Sequence, residues 1–573
     1  MNGNQSLKEM PIEDFIILPD TIPLVMRNKS LGSASFQQAH NIRRGTYLTG
    51  DYSICYVNRS EINSITAEIG SDILSVLPII FGLLDQQSLE VSGIIQVHRN
   101  PYLNLRGGGT LIGFIDTGID YTKDDFRYEN GSSRIKYIWD QTAVGNAPED
   151  FHFGTEYSQE QINTALYSEA PLREVPHQDT TGHGTFLASV AAGSDRGESI
   201  GAAPEAEIIA VKLKKAPPYF YEHYLIPEWQ ENAYTSSDLM LGIQYIINKA
   251  EELDRPVSIC ISVGSNMGGH DGFNVTEEYL TRVSNIIWVA VTCAAGNEGQ
   301  AGHHAQGRLS NSGESQDVEL LAGNQSEDIY LTLWNGPSDR VSVSIISPTG
   351  ELIPKIPVRT GTTYTANLIL EKSRVLVEYQ LPVGGRGDQF TGIRILFPTP
   401  GIWTIRIHGE IILNGTYHLW LPLTGFIDSQ TVFMKPEPNC TIVTPATAIG
   451  VITTGAYNSQ NNALYTASSQ GPTRLPLMSP DFIAPGVNVG GVFPSGNGHM
   501  SGTSVSAAIS TGACALMLQW GIIERNDVAL NSNRILAILI RGCMRDSAAA
   551  YPNVQSGYGR LNLYNALDII RTI

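Results

Sequence analysis

Four short runs in the first half of the chain restrict its fold more than any other feature. "TLIGFID" (110–116), "EIIAVKL" (207–213), "VSICISVG" (257–264) and "IIWVAVTCAAG" (286–296) are rich in β-branched residues and carry apolar side chains at both parities. A strand that is apolar on both faces must be covered on both faces, which a sheet with one wet face does not require. Between the second and third runs, Leu239, Ile243, Ile246, Ile247 and Ala250 fall on one face of a helical segment opened by Ser237 and Asp238. This alternation predicts an α/β core: a mostly parallel sheet between two helical layers. With 42% hydrophobic and only 16% charged residues, the composition suits large buried layers. At 573 residues the chain outgrows one core, and two or three domains are expected.

The rhythm changes over residues 305–440. "RVSVSIIS", "RVLVEYQL" and "GIWTIRIHGEIILNGTYHLWLPL" alternate with period two between Pro and Gly punctuation, so this stretch is expected to be an inserted antiparallel β-sandwich, jelly-roll-like. Helix and parallel-strand patterns resume afterwards, which makes the α/β domain discontinuous, 97–304 and 441–573. Ahead of it, in residues 1–96, "DYSICYVNRSEINSITAEIG" reads as strand, cap and helix, a separate α+β segment.

A net charge of -19 argues against nucleic acid or an anionic membrane as the main partner. Cys55, Cys260, Cys293, Cys440, Cys514 and Cys543 are scattered without a C-x-x-C pair and read as buried thiols. The opening "MNGNQSLKEMPIEDFIILPD" has no basic segment followed by a long apolar one, and no window reaches 18 uninterrupted apolar residues. No secretory signal and no membrane span are expected, and synthesis in the cytoplasm follows.

The run "HMSGTSVSAAIS" (499–510) holds four serines, followed by an apolar stretch to residue 520. Ser504 would begin a helix packed on all sides, where unpaired N–H groups and the positive dipole end favour a developing anion. Such a serine alone is usually only a cap. Here it has partners. "TTGHGTFLASVAAG" sets His183 between two glycines that allow close approach to its ring. Asp116 ends an apolar strand, where open α/β sheets collect functional groups, and could orient His183 while the other ring nitrogen takes the Ser504 proton. In "AAGNEG", Asn297 ends another strand, with an amide that could donate to an oxyanion.

Asp116 in D-T-G, His183 in G-H-G-T, Asn297 in A-A-G-N-E-G and Ser504 in S-G-T-S occur in the order found in the subtilisin-like serine proteases, and the chain resembles that family. "GAAPEAEIIAVKL", "SICISVG", "ASSQGPT", "DFIAPGV" and "GYGRLNLYNAL" extend the resemblance. It implies Ser504 as nucleophile, His183 as general base and then acid, Asp116 as orienting carboxylate and Asn297 as oxyanion donor. It also implies a channel lined by Ser262, Val263, Gly264, Ala294, Ala295 and Gly296. Residues 1–96 would be a prodomain that templates folding and inhibits. An extended "SGIIQ" (92–96) would pair with the channel, and self-cleavage would fall at Gln96–Val97. Phe186 stands where the family usually has a second histidine, and Ala508 where it has a proline. The layout also resembles the clostridial Csp proteases, which activate a cortex-lytic enzyme precursor during spore germination. That implies a protein precursor as substrate and packaging in the spore. A catalytically silent binding protein and a broad degradative protease are the alternatives.

Other matches carry less. D-T-G also suits an aspartic protease, which needs a second such carboxylate that the chain lacks. Gly197 to Gly201 fits G-x-S-x-G but follows a helix and precedes a strand, the reverse of a hydrolase elbow. Arg386-Gly387-Asp388 is an adhesion tripeptide in a glycine-rich turn, and His303 and His304 lack zinc-ligand spacing. No cofactor is needed for the chemistry. Calcium is common in the family; Asp195 is a candidate ligand, but the sequence assigns no metal site.

Overall fold

The computed structural model describes residues 10–27, 34–83, 92–196, 200–324 and 327–571. The N-terminal unit is a three-stranded antiparallel sheet, with β3 (Tyr52–Asn58) between β1 (Thr21–Arg27) and β2 (Arg43–Leu48). Asn58 caps the turn after β3 through its side chain, and α1 (Ile62–Ile69) follows. This is the strand, cap and helix expected. The unit ends in a short strand, β4 (Ile80–Leu83), and α2 (Ile94–Arg99) comes next.

The core is one eight-stranded sheet. Its strands in chain order are β5 (Leu111–Asp116), β6 (Ile135–Asp140), β7 (Thr155–Ser158), β8 (Glu207–Lys212), β10 (Val257–Ile261), β12 (Val289–Ala294), β13 (Ile452–Tyr457) and β14 (Phe482–Pro485). In space the order is β14-β13-β12-β10-β5-β8-β6-β7, parallel throughout except where β7 pairs with β6. Two further pairs of residues, β9 (Tyr234–Thr235) and β11 (Val263–Gly264), lie outside this sheet.

Side-chain alternation explains the three layers. Ile112 and Phe114 of β5 join the cluster that contains α3 (His183–Ala192) and α5 (Thr503–Leu518), while Leu111 and Ile115 join the one that contains α4 (Ser236–Glu252). Both faces of the strand are therefore dry, as their composition requires. β5 lies between β8 and β10, so successive strands leave it first on one side and then on the other. The carboxyl ends at such a reversal form the crevice that open α/β sheets use for function.

Helix α5 with its continuation, Thr503–Ile523, is the one helix among the described residues long and apolar enough to cross a membrane, and 78% of its apolar window is buried inside the protein. Its apolar surface is used against β10, β12 and β13. The six cysteines are buried and unpaired.

Between β12 and β13 the chain makes a six-stranded and a five-stranded antiparallel sheet, from His304 to Phe433. Leu331, Val343, Val377, Ile393, Trp403 and Leu419 from both sheets share one core, which is the sandwich read from the period-two pattern.

Candidate active site

Asp116 is the last residue of β5 and is 1% exposed. Its carboxylate accepts the Thr117 N–H at 2.7 Å and the Ser262 hydroxyl, and His183 Nδ1 lies 2.8 Å from both its oxygens. Burial by itself would raise the Asp116 pKa, but the His183 charge and these hydrogen bonds hold it below the usual carboxylate range. A carboxylate kept ionised there fixes the ring orientation and leaves Nε2 as the proton-accepting nitrogen.

His183 is the first residue of α3, and Gly182 before it has φ +84. A Cβ on Gly184 would meet the Gly118 carbonyl at 2.2 Å, so a glycine here lets the start of α3 close onto the turn after Asp116. Asp179 holds the two segments together. It accepts from Thr117 Oγ1 at 2.8 Å, Gly182 N at 2.8 Å, Thr185 N at 2.9 Å and Thr185 Oγ1 at 2.6 Å. Sequence reasoning missed Asp179; an Asp three residues ahead of Gly182 in "DTTGHGT" was the available signal. Phe186 fills a buried place against Phe493, ring centroids 4.8 Å apart, and Ala508 is buried within α5.

Ser504 is the second residue of α5 and fully buried, with its hydroxyl 3.3 Å from the Ser262 carbonyl. Ser506 instead donates to Ala484 O at 3.0 Å, Ser510 donates to Ser506 O at 2.7 Å, and Ser501 accepts from Asn488 N. Asn297 Oδ1 accepts from Thr503 N at 3.1 Å and Thr503 Oγ1 at 3.2 Å, which identifies the opposite end of the amide as its N–H₂ donor. Glu298 beside it is buried and accepts from His303 Nδ1 at 2.7 Å, Asn266 Nδ2 at 3.0 Å and Thr424 N at 3.1 Å. This tethers the Asn297 loop to Asn266 and, through His303 and Thr424, to the base of the insert.

The edge expected to line the channel is already paired. β4 runs antiparallel to β11, with Val263 opposite Leu83 and Gly264 opposite Gly82, and its first two residues pair with β9. Ala294 to Gly296, expected on the other side of the channel, are bonded to the protein's own backbone. Ala295 N–H donates to Thr454 O, its carbonyl accepts from Val443 N, and the Gly296 carbonyl accepts from Ser469 N.

The expected cleavage segment is not there. Gln96 and Val97 lie in α2, with Val97 fully buried and the helix packed against α6 (Leu563–Arg571). Ile94, Val97 and His98 are its buried residues, a helical spacing where "SGIIQ" was read as extended. The expected boundary at 96 thus falls inside a helix attached to the core, and the strand that pairs with Val263 and Gly264 is 80–83. Residues 84–91, between that strand and α2, lie outside the described residues.

Asp195 is engaged by Arg106 at 2.6 Å, and among the described residues no group of three or more metal-binding side chains occurs. His304 stacks on Trp420 with centroids 4.9 Å apart, and burial pushes its pKa down to about 3. Asp388 of the adhesion-like tripeptide is buried and ion-paired with Arg474, and so is not offered to a receptor.

The model of the Subtilase family matches residues 107–326 and 430–560. The chain belongs to the subtilases. The unmatched stretch between those ranges falls within the inserted sandwich. Among solved structures, the CspB protease of Clostridium perfringens is 33% identical, with a TM-score of 0.74 over 84% of this chain and 98% of that one. Fervidolysin from Fervidobacterium pennivorans, a keratinolytic enzyme, shares the fold at 12% identity and TM-score 0.50, covering 96% of this chain and 61% of that one. A comparison with curated proteins finds no match. This subtilase is a subtilisin-like serine protease, and the family needs no cofactor for its chemistry.

Proposed function

We propose that this subtilase cleaves itself once to separate the N-terminal unit from the core, and then cleaves a specific protein precursor, such as a spore cortex-lytic proenzyme. The observation that carries the reading is β4. The unit's last described strand lies antiparallel along β11, as an extended peptide adds to an exposed edge, and heads toward Ser262 and the Ser504 hydroxyl beside it. In this mechanism His183 takes the Ser504 proton as the hydroxyl attacks the carbonyl carbon, and Asp116 stabilises the imidazolium. The oxyanion accepts from Asn297, and His183 then returns the proton to the leaving amine. Water repeats the sequence to release the acyl group. The N-terminal unit, held through β4, acts as prodomain and inhibitor. The likeness to the CspB protease supports the choice of a precursor over general degradation, and a place in the spore.

The experiment is mass spectrometry and N-terminal sequencing of the purified chain. A large fragment beginning within residues 84–91 is expected, and Ser504→Ala should remain intact. A wild-type chain that stays whole while Ser504 reacts with a fluorophosphonate would end the self-cleavage reading. A chain that neither splits nor labels would favour the silent binding protein.

A further inference from the structure

A cleft with no part in this chemistry lies where the N-terminal unit, the core and the insert meet, with about 70 Å³ open to the centre of a water-sized sphere, room for roughly five to seven waters. Leu74, Ser75 and Ile79 line it from the first, Asp271 and Phe273 from the second, and Tyr330 and Phe390 from the third. Four more of its residues carry the argument. Thr332 Oγ1, Trp334 Nε1, Arg386 Nη1 and Asp388 Oδ1 are buried atoms without a hydrogen-bond partner. Thr332, Trp334 and Asp388 are 5%, 8% and 1% exposed. Buried polar groups normally find partners, and four orphans around one cleft point to a ligand that supplies them.

Charge and shape narrow its chemistry. Arg474 is committed to Asp271 and to the other oxygen of Asp388, while Arg386 makes no ion pair among the described residues and stacks over Phe273 at 5.9 Å. Two arginines and two aspartates sum to zero, which disfavours a phosphate or a nucleotide. A guanidinium and an indole N–H in the donor set disfavour a metal ion. A carboxylate suits Arg386 and the Trp334 N–H, an ammonium suits Asp388 Oδ1, and Thr332 can serve either. The aromatic walls suit a large apolar side chain.

We propose that this cleft binds a free α-amino acid with a large apolar side chain. Ile79 leads directly into β4, so the bound molecule touches the segment that holds the N-terminal unit in the channel. By linkage, it strengthens that hold.

The test is isothermal titration of the full chain with L-phenylalanine, 3-phenylpropanoate, which lacks the amine, and phenethylamine, which lacks the carboxylate. Saturable binding of one L-phenylalanine per chain is expected, with each of the other probes roughly tenfold weaker or worse. Trp334→Phe keeps an aromatic ring and loses the N–H, and Arg386→Met keeps the stem and loses the charge; each should weaken binding by roughly tenfold. Should Trp334→Phe not fold, Arg386→Met decides. Absence of saturable binding up to about 10 mM, equal affinity for the three probes, or variants that bind like wild type would overturn the proposal. Peptide hydrolysis is not read, so failure here is distinct from failure of the proposed function.

Discussion

Ser504 and its neighbours separate at the scale of single residues, although they look alike in sequence. Ser504, Ser506 and Ser510 all donate to carbonyls, but the acceptors of Ser506 and Ser510 lie within or beside α5, whereas Ser504 donates to Ser262, whose own hydroxyl holds Asp116. Ser504→Ala should therefore abolish peptide hydrolysis and leave the thermal midpoint within a few degrees of wild type, because alanine suits a buried helix start. Activity lost in Ser506→Ala with Ser504→Ala still active would reverse the assignment. Asn297→Ala should lower kcat by roughly 100- to 1000-fold with little change in KM, a magnitude taken from the same loss in another family member. Steady-state kinetics on a peptide substrate decide it, and an unchanged kcat would remove Asn297 from the oxyanion site. The four candidate residues stand out in the sequence because each sits in its own short block, near a strand end or at a helix start. Asp179 was not, since its four hydrogen bonds connect two blocks and only folding brings these together.

At the scale of elements, the strands of the parallel sheet were legible because burial on both faces leaves an apolar run that few alternatives share. α2 was misread for the same reason in reverse. A six-residue stretch with three apolar residues supports strand or helix equally, and what decides it is the contact with α6, far along the chain. The pairing of β4 with β11 was equally hidden, because neither two- to four-residue segment has a pattern of its own. Close approach of elements gives a sharper test than their existence. A methyl group on Gly184 would lie 2.2 Å from the Gly118 carbonyl and 3.2 Å from the Asp116 Cβ, so Gly184→Ala must push α3 away from the end of β5. Displacing His183 from Asp116 by even about 1 Å should cost roughly 100-fold in kcat/KM. Peptide hydrolysis checks this, with far-ultraviolet circular dichroism to establish that the sheet and helices persist. An active variant would mean that the start of α3 tolerates the shift.

For the whole molecule, two carboxylates, the half-buried Asp481 and the buried Glu277, make stability depend on pH. Burial raises the Asp481 pKa to about 7, opposed by its hydrogen bond from Thr453 N, and raises that of Glu277 to about 8. The folded state therefore holds a proton on Asp481 that the unfolded chain releases near pH 4. That stabilisation is complete below pH 4 and is lost as pH rises to about 7, on the order of 4 kcal/mol in all. Asp481→Asn keeps an acceptor for Thr453 and carries no proton to lose. Denaturant unfolding at pH 5 and pH 8 should show a smaller decline in the variant, with the share of Glu277 remaining. An identical decline would place the linkage elsewhere.

The insert is joined to the core by a charge cluster as well as by surface. Arg474, on the core side, reaches Asp271 of the core and Asp388 of the insert, with all three side chains at least 94% buried. Nearby, Trp420 of the insert stacks on His270 of the core, centroids 4.2 Å apart. Replacing Arg474 with leucine removes the cation and leaves two carboxylates facing each other out of water, a loss of about 3–5 kcal/mol when a buried pair is broken from one side. The damage should fall on attachment. Neither aspartate touches Asp116, His183 or Ser504, and the Asn297 loop has its own tether through Glu298. Arg474→Leu should therefore unfold at lower denaturant and be cut by added trypsin within residues 305–440, while freshly folded enzyme hydrolyses a short peptide at close to the wild-type rate. Loss of hydrolysis with unchanged resistance to denaturant and trypsin would show that the insert shapes the active site directly and does not merely brace it.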